Sequence, residues 1–131
     1  MGWRVCASAV AVVASPSQDE EGRGLERFLA DRGIDAVRLD ALAPPGALRR
    51  VRDAVVLFTK GFEEDAARRW LDRVVASDAG RLVVVVTASL PAFADLAKAP
   101  RAPVLLLAAP VLAWQLVDVL RHHLASRRPT S

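Results

Sequence analysis

Four consecutive valines, Val83 to Val86, run on into Thr87-Ala88-Ser89. Four β-branched residues in a row have no period-two alternation, so neither face of this strand is meant for water. That pattern belongs to a central strand of a parallel sheet covered by helices on both sides. Arg81 precedes the run and Leu90-Pro91 follows it, so it is far shorter than the roughly 20 apolar residues that cross a bilayer. Burying each valine is worth roughly 1.5 to 3 kcal/mol relative to exposure, an upper estimate.

The same reasoning orders the rest of the chain. A first strand is expected from about Val5 to Ala14, ending at Ser15-Pro16-Ser17. A helix follows, capped by Ser17 or Asp19, with Asp19, Glu20 and Glu21 at its positive start. Leu25, Phe28 and Leu29 form its core stripe, and Gly33 suits a left-handed stop. Strand two is expected over Ile34 to Leu39. A short second helix is expected from Pro44-Pro45, with Leu48 and Val51 inward. Strand three is expected over Asp53 to Thr59, and Lys60-Gly61 turns into a third helix carrying Ala67, Trp70, Leu71, Val74 and Val75. After the valine strand, Pro91 opens a short Ala-rich fourth helix with Phe93 and Leu96 buried. Strand five is Val104 to Ala108, and Pro110 leads into a last helix from Val111 to about Ala125. Strands alternating with helices at this length predict an α/β fold, a single doubly wound five-stranded parallel sheet of flavodoxin type. The expected strand order is 2-1-3-4-5, in one domain over residues 1–126 with a polar tail at 127–131.

Composition excludes more than it selects. The 131 residues carry a net charge of +3, with acids interleaved among the arginines; this is a mixed solvated surface, and a nucleic-acid partner, which would want a clustered basic patch, is not expected. No membrane partner is expected either. Cys6 is the only cysteine, so no disulfide staples the domain and a cytoplasmic location is expected. Residues 5–14 imitate the apolar core of a secretion signal but are Ala-rich and lack leucine, so they read as the first strand.

In doubly wound sheets the functional edge lies at the carboxyl ends of strands one and three. Here that edge is Ala14-Ser15-Pro16-Ser17 and Thr59-Lys60-Gly61, flanked by Thr87-Ala88 and Ala109-Pro110. Pro16 removes an amide from any phosphate loop, and Asp19 to Glu21 repel a phosphate. Strand one ends in Ala14-Ser15 and strand three in Phe58-Thr59, so no acid converges to hold a metal. His122 and His123 are helical neighbours about 100° apart and cannot share one. No cofactor is expected.

At this point the chain resembles the receiver domain of two-component response regulators. Thr87-Ala88 closes strand four as that family's switch Thr/Ser and small residue do. Pro110 opens the last helix as the Pro of its Lys-Pro pair does, with matching spacing from Thr87, and Leu116 and Leu120 sit where its last helix packs. The departures fall on the chemistry. The family's paired acids are Ala14 and Ser15 here, the phosphoacceptor Asp is Phe58 or Thr59, and the Lys before Pro110 is Ala109. The resemblance therefore implies a pseudo-receiver, a non-catalytic bacterial signal-transduction domain that works without phosphorylation. Its expected partner is another protein or a second copy, met through the fourth helix, fifth strand and last helix, with Phe93, Ala97, Trp114, Val117 and Arg121 on the interaction face. The excess of apolar residues on the last helix carries the same expectation.

The chain also looks similar to Toll/interleukin-receptor-like domains, through Ser15-Pro16-Ser17-Gln18-Asp19, Gly33-Ile34 and Pro45-Gly46. Enzymatic members place a Glu after a Trp in the third helical region; Trp70 is followed by Arg73, and only Glu63 and Glu64 stand earlier. This resemblance implies an adaptor or, through Glu63 or Glu64, cleavage of NAD.

Overall fold

The computed structural model describes residues 8–43, 48, 51–77, 81–98 and 103–127, with the backbone alone for 8, 52, 77, 97, 98 and 124–127. The expected starts at Val5 and Cys6, the Pro44-Pro45 and Pro45-Gly46 pairs and the polar tail beyond 127 lie outside the described residues. Five parallel strands form one sheet in the order β2-β1-β3-β4-β5. They are β1 (Ser8–Val13), β2 (Ala36–Leu39), β3 (Val51–Phe58), β4 (Leu82–Thr87) and β5 (Val104–Ala108). Helices α1 (Asp19–Asp31), α2 (Glu64–Ser77), α3 (Leu90–Phe93, continued as a 3-10 turn over Ala94–Lys98) and α4 (Ala113–Arg127) flank it. No described helix is long and apolar enough to cross a membrane.

The valine strand is buried at every position from Leu82 to Thr87. Its side chains alternate between two cores. Val83 and Val85 join Ala11, Val13, Val55 and Leu57 beneath Trp70, Leu71 and Val74 of α2 and Phe93 of α3. Val84 and Val86 join Val10, Val12, Ala54 and Val56 beneath Leu25 and Leu29 of α1 and Leu116 and Leu120 of α4. A strand buried on both faces has no use for polar alternation, which is why the run is unbroken.

Several boundaries differ from expectation for identifiable reasons. Strand β2 begins at Ala36, not Ile34, because Ile34 belongs to the stop of α1. Gly33 sits at φ 74°, its N–H donates to Ala30 O, and Ile34 N–H donates to Leu29 O, the double bond of a Schellman stop. At the other end of α1, neither Ser17 nor Asp19 caps by side chain. A 3-10 turn over Pro16–Gln18 leads in, and Asp19 instead pairs with Arg23 at 2.8 Å and Arg38 at 2.5 Å. Phe28 is not core: it is 37% exposed, with the Arg32 guanidinium 5.4 Å from its ring centroid.

The expected second helix does not include Val51, which opens β3 opposite Ser8. Leu48 is fully buried, as anticipated. Arg81 fixes this corner. It is 3% exposed, and its guanidinium donates to Leu48 O at 2.9 Å and Val51 O at 3.3 Å. A charge taken from water this completely needs polar groups in place of its hydration, and these two backbone carbonyls supply part of them. Helix α4 begins at Ala113, not Val111. Gln115 Oε1 accepts from Leu112 N–H at 3.0 Å, the reach-back half of a capping box, which makes Leu112 the cap and leaves its side chain 59% exposed.

Candidate functional site

The carboxyl ends of β1, β3, β4 and β5 meet at one edge, and their polar groups are spent on joining the strands. Ser15, 3% exposed, donates to Lys60 O at 3.1 Å and lies 2.8 Å from Ser17 Oγ. Its one proton is committed to Lys60, so Ser17 donates to Ser15. This ties the end of β1 to the turn after β3. Thr59 binds the next junction: its N–H donates to Val86 O at 3.0 Å, and its Oγ1 donates to the same carbonyl at 3.3 Å. Thr87 Oγ1 accepts the Ser89 N–H at 3.0 Å, holding the turn out of β4. Ala109 N–H donates to Thr87 O, and the Ala109-Pro110 peptide is cis.

The Lys60-Gly61 turn is what lets Ser15 reach. Gly61 has φ 91°, and a Cβ built there would lie 2.0 Å from Ser15 Oγ. Only glycine satisfies both the backbone and the approach.

Between these strand ends and the start of α2 lies an open cavity of about 230 Å³. Of the residues expected at the edge, Phe58, Thr59, Thr87 and Ala109 line it. Ala14 and Ser15 are buried behind the edge rather than in the cavity, and Pro110 is exposed beside it. Gln18, Phe62 and Ser89 also line it; Phe62 stands in no motif of the sequence, and Gln18 enters only through the stretch Ser15 to Asp19. Lys60 and Glu64 bring opposite charges to the rim. No carboxylate stands at the end of β1 or β3, where Ala14-Ser15 and Phe58-Thr59 are found. A phosphoryl-transfer centre needs carboxylates there for the metal and for the acceptor. The hydroxyls hold strand ends together, and their hydrogen-bond partners among the described residues are backbone groups and one another.

The expected interaction face is only partly exposed. Phe93 and Val117 are 1% and 2% exposed and belong to the cores, so neither is a contact residue. The side chain of Ala97 lies outside the described residues. Trp114 is 56% exposed, Leu112 is 59% exposed, and Asp118 and Arg121 are exposed on the same helix. The helical stripe facing the sheet is Leu116, Val117 and Leu120, which leaves Trp114 turned outward. Comparison of the chain with protein-family models, with curated proteins and with solved structures gives no match.

Proposed function

We propose that this chain is a phosphorylation-independent protein-interaction domain of pseudo-receiver type, which associates through the flank formed by α3, β5 and α4. One contrast carries the reading. The hydroxyls at the edge where receivers do their chemistry, Ser15, Thr59 and Thr87, are spent on hydrogen bonds that join the strand ends and turns, while two large apolar side chains, Leu112 and Trp114, stand in solvent at the start of α4. Side chains of that size cost solubility when exposed together and are characteristic anchors of association sites.

Trp114→Asp is expected to weaken association by about tenfold or more, because truncating a central aromatic anchor costs at least about 1.4 kcal/mol. The unfolding midpoint should move little, since the ring is more than half exposed. Sedimentation of the pure protein and affinity capture from a lysate, with wild type and variant side by side, check this. A wild-type chain that is monomeric and captures nothing refutes the interaction reading.

One observation favours a second reading, a Toll/interleukin-receptor-like enzyme: Glu64 lines the edge cavity. It predicts nicotinamide release from NAD that disappears in Glu64→Gln. Absence of release at high protein concentration removes it.

A further inference from the structure

We infer that the edge cavity is a binding site for a free α-amino acid with an apolar side chain. This stands apart from the interaction reading, since neither needs the other.

The turn after β3 builds the cavity. Phe62 N–H donates to Thr59 O at 3.1 Å, and the positive φ of Gly61 folds the chain back. Lys60 and Phe62 therefore both border the cavity before α2 begins at Glu64. The floor draws on both cores, because the cavity sits over the end of the sheet and not over one face. Phe58 and Val86 come from one core and Phe93 from the other, with Phe62 packed against the latter. Phe58, Val86 and Phe93 are each at most 4% exposed.

Size and floor limit the occupant. A dry apolar cavity of about 150 Å³ accepts benzene, and sites for drug-sized molecules begin at roughly 300 Å³. At about 230 Å³, this one takes a ring or a branched aliphatic group and a few atoms more. The phenylalanine and valine side chains favour an apolar body.

The polar groups say what that body carries. Lys60 and Glu64 are exposed and both border the cavity. Neither has an ion-pair partner among the described residues. Thr87 also lines the cavity and is 3% exposed. Its Oγ1 accepts the Ser89 N–H, which uses a lone pair and leaves the hydroxyl proton. That proton has no acceptor among the described residues, and a buried donor in that state favours an occupant with an acceptor oxygen. A carboxylate answers Thr87 and Lys60, and an ammonium answers Glu64. A phosphate or a simple carboxylate answers only the first and brings its charge toward Glu64. A free amino acid carries both charges on one carbon, beside the side chain that fills the floor.

The test titrates the pure protein with L-phenylalanine, 3-phenylpropanoate and phenethylamine, followed by amide NMR. L-phenylalanine should shift the Thr87, Ala88 and Ser89 amides saturably and leave those of β2, across the sheet, unmoved. Each analogue lacks one charge and should bind about two- to fivefold more weakly, the worth of one exposed ion pair. Lys60→Gln and Glu64→Gln alter exposed side chains and keep the fold. Lys60→Gln should weaken L-phenylalanine and 3-phenylpropanoate by that factor and spare phenethylamine. Glu64→Gln should weaken L-phenylalanine and phenethylamine and spare 3-phenylpropanoate. A turn merely loosened by either change would weaken all three ligands alike. Uniform weakening, analogues that bind as tightly as L-phenylalanine, or no saturable shift up to about 10 mM overturns the assignment. Sedimentation of the same samples without ligand reads the association separately.

Discussion

Truncating Trp70 to Ala lowers the unfolding free energy by about 3 to 5 kcal/mol, the range for a large aromatic removed from a packed core. Trp70 is 1% exposed and is among the largest fully buried side chains. Its ring fills the space between α2 and the sheet, against a core that includes Val55, Leu57, Val83 and Val85. Its indole Nε1 also donates to Ala43 O, so one side chain both fills the core and anchors the segment leaving β2. Removing it opens a cavity and orphans that carbonyl, and the two costs act together. Trp70→Phe separates them: it keeps most of the packing and loses the hydrogen bond, and should cost about 1 to 3 kcal/mol. Urea denaturation of the three proteins, followed by far-ultraviolet circular dichroism, measures both differences. If Trp70→Ala and Trp70→Phe were equally stable, packing would not be what the ring contributes.

The sheet was readable because its strands are buried on both faces. Val55 to Phe58, Val83 to Val86 and Val104 to Leu107 are apolar without interruption, and no amphipathic helix reads that way. Trp70 with Ala67, Leu71 and Val74 was equally clear, since the polar face of α2 leaves one apolar stripe. Periodicity failed where more than one apolar stripe could face inward. Helix α4 is apolar on most sides, so the sequence could not say that Val117 goes in and Leu112 stays out; Gln115 settles it by fixing where the first turn begins. Leu48 and Val51 imitate helical spacing, but Val51 is taken by the strand through its pairing with Ser8. Phe28 sits at a core spacing on α1 and is still turned out.

At the candidate site, the strand-end residues Thr59, Thr87 and Ala109 followed from topology alone. The Ser15 bond to Lys60 did not, because it joins residues 45 apart in sequence. Gln18, Phe62 and Ser89 enter the cavity through turns whose paths no local pattern encodes.

Gly61→Ala is the sharpest probe of that edge, with an expected loss of about 2 to 6 kcal/mol: roughly 1 to 3 for a side chain at strained positive φ, and a similar amount for overpacking. The new Cβ would lie 2.0 Å from Ser15 Oγ, 2.4 Å from Ser17 Oγ and 2.8 Å from Ser15 Cβ. Ser15 cannot step aside cheaply, because its hydroxyl is held by Lys60 O and Ser17 and its surroundings are buried. The clash and the backbone strain are separable. Placing Gly61→Ala in a Ser15→Ala, Ser17→Ala background removes the two closest oxygens but leaves φ at 91° and the Ser15 Cβ contact. In that background the further loss on adding Gly61→Ala should shrink to about 1 to 3 kcal/mol, the backbone share. Full recovery would mean that positive φ costs nothing here; no recovery would mean that the hydroxyls were never in the way. A loss within about 0.5 kcal/mol of zero for Gly61→Ala alone, the range of an ordinary surface substitution, would show that Ser15 is not held in place by its bonds to Lys60 and Ser17. The contrast on which the interaction reading stands, hydroxyls committed to structure at the edge and apolar side chains exposed on α4, would then lose its first half.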